Sequence, residues 1–329
     1  MISKRRGKPS EDALFTTPNY LGIADGVGGW VEYGVDSSKF SNELMKNCKN
    51  EVIKFNQEIE QSANYESEES DYDLFGSNNS KCSQNYDANS LESGSVSHEA
   101  TEIKPKNVLN PTTVLSKAYR KVRSIGSSTA CVCALNTTSG EMEVSNIGDS
   151  GFLVIRKNII YQSEEQQHSF NAPYQLTRMP LGFARKHKIF GYYSDKPKDS
   201  KNYTCRLQKG DIVILATDGL FDNLYSKDII RIVNKFLLRQ KQTIYTSNGC
   251  HAADLNNIVE LLDSTDAYNL ARTLSLKAWK NSLSSSYISP FGSKMNSLLK
   301  TTSTKLIPEL EEWRGGKKDD VSVIVSFVN

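Results

Sequence analysis

Gly210-Asp-Ile-Val-Ile-Leu-Ala-Thr-Asp218-Gly219 is the stretch that decides how this chain is read. Its centre, Ile212 to Ala216, is an unbroken apolar run, rich in β-branched residues and bounded on both sides by turn residues. Such a run, Asp211 to Thr217 with its flanks, reads as an apolar strand. It ends in an aspartate beside a glycine. The same device recurs at Leu21-Gly-Ile-Ala-Asp25-Gly26, at Ser145-Asn-Ile-Gly-Asp149-Ser150, and at Lys318-Asp319-Asp320 ahead of the apolar run Val321 to Val328. A strand end is rigid and aims its last side chain, while glycine lets backbone approach closely. Carboxylates gathered from several strand ends repel one another unless cations neutralise them, and hard oxygen ligands suit Mg²⁺ or Mn²⁺.

Working outward, Ser37 to about Ile59 carries Phe40, Leu44, Met45, Cys48, Val52 and Phe55 at helical spacing, with Ser37 or Ser38 as the cap. Pro111 to Val122 reads as a second helix. Strand patterns follow at Thr129 to Leu135, Met142 to Ile147, Gly151 to Arg156 and Ile159 to Gln162, joined by short turns as in a β-meander. Further helices are expected near Lys227 to Leu238 and Asp266 to Trp279. Strands in groups, with helices beside them, predict an α+β layered domain over a parallel α/β fold.

The chain has 329 residues and a net charge of +2, which gives no footing for a nucleic-acid partner. That balance conceals an acidic stretch. From Gln61 to Lys106 the sequence is rich in Ser, Asn, Asp and Glu and poor in branched apolar residues, so it predicts a disordered insertion within one catalytic domain spanning 1–329. No apolar run is long enough for a membrane span. Six cysteines form no CxxC pair and only four histidines are present, which argues against zinc. Cys131 and Cys133 alternate on a strand and read as buried free thiols of a reducing compartment. The first motif arrives at Glu11-Asp12, so either the chain starts close to its catalytic region or a preceding segment is missing from the sequence.

Taken singly, each aspartate has a plain reading. Asp-Gly is a common turn, and Asp319-Asp320 reads equally as a cap or a solvated pair. Neither GxGxxG nor GxxxxGK[ST] is present, so Gly26-Val-Gly-Gly29 is not a nucleotide loop. Spacing alone leaves a metal-carboxylate enzyme as one reading among several.

The ordered set is more specific. Glu11-Asp12, Gly22-Ile-Ala-Asp25-Gly-Val-Gly-Gly29, Ser145-Asn-Ile-Gly-Asp149-Ser150, the stretch from Gly210 through Asp222-Asn223, and Asp319-Asp320-Val-Ser-Val-Ile-Val325 together resemble the metal-dependent protein phosphatase family, type 2C. The segment Gly26 to Ser41, Asn171 to Leu176 and Arg314-Gly-Gly-Lys317 resemble one branch of it, a mitochondrial type. The resemblance implies a sandwich of two antiparallel sheets flanked by helices, and hydrolysis of phosphoserine and phosphothreonine in proteins by a metal-activated water, without a phosphoenzyme. It implies two Mg²⁺ or Mn²⁺ ions. Asp25 bridges them, the carbonyl of Gly26 binds one, and Asp218 and Asp319 complete the second site. Asp12 and Glu11 act from the outer shell, and Asp149 serves a weaker third ion. A monomer acting on phosphoproteins is the implied partner state. A scaffold that binds phosphoproteins without turnover, and a hydrolase of small phosphoesters, are the competing readings.

Two departures stand out. Relatives that carry His after the Asp-Gly use it toward the leaving oxygen, and here that position is Val27. Relatives place an Arg ahead of the Glu-Asp pair to hold phosphate, and here Gly7 stands there with Arg6 and Lys8 as the neighbouring candidates. The residues before Glu11 also leave little room for the family's opening strand.

Overall fold

The structure, a computed structural model, describes residues 1–4, 9–72, 108–189, 192–248, 258–302 and 312–329. By internal contacts the chain divides into one unit of 1–52 with 108–329, and a second of 53–107.

In the larger unit two antiparallel sheets carry the fold. The first has the order β1 (Ala13–Thr16), β2 (Tyr20–Ala24), β4 (Ala130–Asn136), β5 (Glu141–Ile147) and β11 (Lys201–Arg206). The second has the order β13 (Val323–Phe327), β12 (Ile212–Ala216), β6 (Gly151–Arg156) and β7 (Asn158–Gln162). Two small ribbons, β3 (Gly126–Ser128) with β10 (Leu176–Arg178) and β8 (Gln167–Ser169) with β9 (Ala172–Pro173), complete the strands. The helices are α1 (Ser37–Tyr72), α2 (Pro111–Lys121), α3 (Leu181–Lys186), α4 (Asp218–Phe221), α5 (Ser226–Asn248), α6 (Ser264–Ser282) and α7 (Pro290–Thr302).

The period-two alternation of the strands sorts the apolar side chains into layers. Val213 and Leu215 of β12 join Phe152, Val154 and Ile324 against Ile23, Cys131, Cys133, Val144 and Cys205 of the first sheet. Ile212, Ile214 and Ala216 face the other way, onto Ile229, Val233, Leu270 and Leu274 of α5 and α6. On the far side, Phe40, Leu44 and Met45 of α1 and Val114 and Leu115 of α2 cover Ala24, Ala130 and Val132. The expected α+β sandwich is therefore the architecture, and the run at 212–216 is buried on both faces. Each such aliphatic side chain contributes roughly 2 kcal/mol on burial, which is what holds the strand ends in place. Cys48, Cys131, Cys133 and Cys205 are buried free thiols. Among the described residues no helix is long and apolar enough to cross a membrane.

Three expectations need correction. The strands from Thr129 to Gln162 are not one meander: β4 and β5 pair in the first sheet, β6 and β7 in the second. The chain crosses between sheets at Gly148-Asp149-Ser150, where Gly148 takes φ +97°, a left-handed conformation that suits glycine. The cap of α1 is Asp36, not a serine. Its Oδ1 accepts from the Ser38 N–H at 3.1 Å and from Ser38 Oγ at 2.7 Å, placing a carboxylate at the positive end of the helix. That helix runs on past Ile59 to Tyr72, through the start of the stretch read as disordered, because no Gly or Pro occurs between Gly34 and Gly76. The remainder of that stretch lies outside the described residues. The N-terminal segment makes one isolated bridge, in which Ile2 and Val321 exchange both backbone hydrogen bonds at 2.9 Å.

Candidate metal-carboxylate site

The aspartates at the strand mouths converge. Asp12 enters β1 and Asp25 leaves β2, and the two strands pair so that Ala13 lies opposite Ala24. Asp218 follows β12, and Asp319 precedes β13, which pairs with β12 through Ala216 and Val323. Asp149 sits in the crossing between the sheets. Asp12, Asp149, Asp218, Asp319 and Asp320 are buried, as is Glu11. The solvated reading of the Asp319-Asp320 pair is thus excluded.

Each carboxylate is held by a specific contact. The Thr217 hydroxyl donates to Asp12 Oδ2 at 3.0 Å. Asp25 is fixed through its backbone: its N–H donates to Thr129 Oγ1 at 3.2 Å and its carbonyl accepts from the Thr129 N–H at 3.0 Å. Gly26 bridges to Ser128, and a Cβ there would lie 2.6 Å from the carbonyl oxygens of both Glu11 and Ser37. Only glycine lets the loop enter this wedge. Asp320 accepts from the Lys4 N–H at 2.5 Å, from Ser10 Oγ at 2.8 Å and from the Glu11 N–H at 2.6 Å, which ties the N-terminal segment to the last strand.

Two ammonium groups stand among the acids. Lys4 Nζ lies 2.7 Å from Asp319 Oδ1 and 2.9 Å from Glu11 Oε2. Lys317 Nζ is hydrogen-bonded to Asp218 Oδ2 and lies 3.3 Å from both Asp222 Oδ2 and Asp319 Oδ2. The electrostatics follow this placement. Burial, then the charges of Asp218, Asp12 and Asp319, pushes the Asp25 carboxyl well up. Burial pushes Asp12 up to about 7, and burial with the Asp218 charge does the same to Asp222. Asp149 is raised by burial and by Asp218. Asp319 goes the other way: burial acts to raise it, but Lys317 and Lys4 outweigh that and hold it below the usual range.

Asp12 Oδ1, Asp149 Oδ1 and Asp218 Oδ1 are buried and receive no hydrogen bond. A buried carboxylate oxygen without a donor is costly, and three of them in one acidic cluster fit a site that takes divalent cations. Among the described residues, no three such groups yet close into a coordination shell.

Asp12, Glu11, Asp25, Gly26, Asp149, Asp218 and Asp319 are therefore brought to one end of the sheets. Arg6 and Lys8 lie outside the described residues. Thr217 and Lys4 were not singled out from sequence, and Asp222 and Lys317 fell within motifs but were given no role in the site. Thr217 and Asp222 flank Asp218 in the deciding stretch, so proximity was the available signal. Lys317 follows the Gly315-Gly316 pair, which marks a close backbone approach.

A protein-family model described as Stage II sporulation protein E matches residues 90–267. Protein phosphatase PTC7 homolog fig of Drosophila willistoni is 31% identical, over 99% of this chain and 79% of its own length. The human Protein phosphatase PTC7 homolog is 29% identical, over 97% of this chain and 79% of its own. The solved structure of the photosystem II phosphatase PBCP superposes with a TM-score of 0.58 at 22% identity, covering 97% of this chain and 92% of that one, a likeness of fold.

Proposed function

The chain belongs to the metal-dependent protein phosphatase family, the type 2C phosphatases, and from that premise we propose that its aspartate cluster is where phosphoserine and phosphothreonine esters of proteins are hydrolysed. The observation that carries the assignment to this cluster is the set of buried, undonated oxygens on Asp12, Asp149 and Asp218 beside the strand-mouth residue Asp25.

In this reading two Mg²⁺ or Mn²⁺ ions would be held by Asp25, the Gly26 carbonyl, Asp218 and Asp319, with Asp25 serving both, and Asp149 would serve a weaker third. Bound divalent cations supply charge that neutralises phosphoryl oxygens and acidifies water. The chain's own residues supply placement. Asp12 acts from the outer shell, its Oδ2 committed to Thr217 and its Oδ1 open. Glu11 is the second outer-shell acid, anchored by its backbone to Asp320. Val27 has no proton to give, so protonation of the leaving oxygen falls to another group. Arg6 or Lys8 is the proposed phosphate ligand. The family resemblance supports a monomer, and the branch resemblance a mitochondrial compartment.

The test is phosphate release from a phosphothreonine peptide by metal-stripped protein, with and without millimolar Mn²⁺ or Mg²⁺. Turnover that requires metal and disappears in Asp25→Ala and in folded Asp218→Asn supports the proposal. No turnover with either metal, or near-normal activity in Asp218→Asn, overturns it, and the first result would favour a chain that binds phosphoproteins only.

A further inference from the structure

Lys317 reaches the acidic cluster because its backbone is clamped. Gly315 takes φ +93° and donates its N–H to the Tyr287 carbonyl at 2.7 Å. A Cβ on Gly316 would lie 1.9 Å from Asn223 Oδ1, so the chain passes too close to Asn223 for any side chain there. The Lys317 carbonyl then accepts from Asn223 Nδ2 at 2.8 Å. From this fixed point the side chain runs beside Phe291, with Nζ 5.8 Å from the ring centroid, and its head enters among Asp218, Asp222 and Asp319. It is only 20% exposed.

Asp218 and Asp319 are the pair assigned above to the second cation, and the inference rests on that assignment. A divalent cation is bound by carboxylate oxygens at about 2.0–2.6 Å. An ammonium hydrogen-bonded to the same oxygens uses the same lone pairs, and two cations that close repel strongly in a buried setting. Both cannot sit between Asp218 and Asp319.

We propose that Lys317 is a resident cation that competes with the divalent ion for the Asp218–Asp319 pair and thereby sets its affinity. Entry of the ion requires the ammonium to leave those two oxygens. The flexible four-carbon stem permits this without moving the clamped backbone. Asp222 is the acceptor that remains: it is buried, already 3.3 Å from the ammonium, and has no part in the cation set assigned above. Lys317 is thus a positioning residue, and Asp222 is its alternative seat.

Mn²⁺ binding, followed by the electron paramagnetic resonance of free Mn²⁺, tests this without reference to turnover. The comparison is between the unsubstituted protein, Lys317→Met and Lys317→Gln, with thermal melting recorded with and without Mg²⁺. Both variants are expected to bind Mn²⁺ at least about tenfold more tightly, the scale of one removed buried-charge contact. They should melt lower than the unsubstituted protein without metal and recover with it. Variants that fold only when metal is supplied also support the proposal, because ammonium and metal then substitute for each other. Unchanged or weaker affinity overturns it, as does failure of both variants to fold even in metal. Absence of Mn²⁺ binding by the unsubstituted protein would instead overturn the functional reading on which the inference stands.

Discussion

Thr217 and Asp12 are 205 residues apart in the chain, yet the threonine hydroxyl donates to Asp12 Oδ2 at 3.0 Å. The same hydroxyl accepts from the Ser322 N–H at 3.2 Å, and the Thr217 N–H donates to the Ser322 carbonyl at 3.2 Å. One side chain therefore joins the mouths of β1, β12 and β13, from which Asp12, Asp218 and Asp319 project.

Replacing Thr217 by valine keeps the shape and deletes the hydroxyl. Asp12 Oδ2 loses its donor and the Ser322 N–H loses its acceptor, both in a buried setting. Unsatisfied groups of this kind cost about 1–3 kcal/mol each. Thr217→Val should lose about 2–4 kcal/mol in denaturant unfolding and show reduced peptide dephosphorylation at saturating metal. Thr217→Ser, which retains the hydroxyl, should lie close to the unsubstituted protein. Equal behaviour of the two variants would remove Thr217 from this linking role.

Gly219 follows the deciding aspartate, and a Cβ there would lie 1.8 Å from the Asp320 carbonyl oxygen. The obstacle is backbone of the β13 approach, which cannot step aside as a flexible side chain can. Gly219→Ala should cost roughly 3 kcal/mol or more, at the upper end of overpacking. Gly182, in α3, has nothing within 4 Å of the corresponding position. Gly182→Ala should be neutral or stabilise by about 0.5–1 kcal/mol. Thermal melting of the two variants side by side checks the contrast, and a mild effect at Gly219 would show that the strand mouth yields.

What could be read from the sequence follows the range of the interactions involved. The run Ile212 to Ala216 announced an apolar strand because every residue in it is apolar, and the strand-mouth aspartates followed from their neighbours alone. The crossing at Gly148 was not legible: a turn between β5 and β6 looks the same locally whether the next strand stays in the sheet or leaves it. Asp36, Ser37 and Ser38 are three successive residues able to cap, and only the position of the first helical turn selects Asp36. Lys317 stands in Arg-Gly-Gly-Lys-Lys-Asp-Asp, whose Arg314 to Lys317 part resembles a family branch without giving the lysine a role. Its contacts with Asp218 and Asp222 come from a part of the chain about a hundred residues earlier, and no local pattern encodes them.

Away from the cluster, Asp211 is fully buried and is gripped by Arg156, with Nε to Oδ1 at 2.6 Å and Nη2 to Oδ2 at 2.7 Å. The Gln208 N–H adds a third bond at 2.8 Å, which fixes the turn leading into β12. Removing one partner of a buried pair leaves the other charge uncompensated, at about 3–5 kcal/mol. Arg156 is partly exposed, so Arg156→Ala should fall below that range, near about 2 kcal/mol, and Asp211→Ala should do comparable damage through its lost turn contacts. Both should retain metal-dependent turnover at temperatures where they stay folded. Loss of turnover in the folded variants would mean that the β12 entry turn reaches the catalytic end.

Asp320 offers the most direct test of how the N-terminal segment completes the site. Its Oδ1 accepts from the Lys4 N–H, and its Oδ2 from Ser10 Oγ and the Glu11 N–H, so both oxygens are in use. Asparagine in its place must turn an NH₂ group toward at least one of these donors, leaving a donor facing a donor. With the NH₂ at Oδ2 the Glu11 backbone loses its anchor, and with it the placement of Asp12 at the mouth of β1; with the NH₂ at Oδ1 the Lys4 N–H loses its acceptor. Either loss loosens the ammonium of Lys4, which contacts Glu11 and Asp319. Asp320→Asn should therefore speed hydrogen exchange at the Lys4 or the Glu11 amide, while the amides of β12 and β6, bonded strand to strand, stay protected. Uniform loss of protection across both regions would mean that Asp320 supports the whole sheet. Unchanged exchange at Lys4 and Glu11 would mean that the pairing of Ile2 with Val321 holds the segment without it.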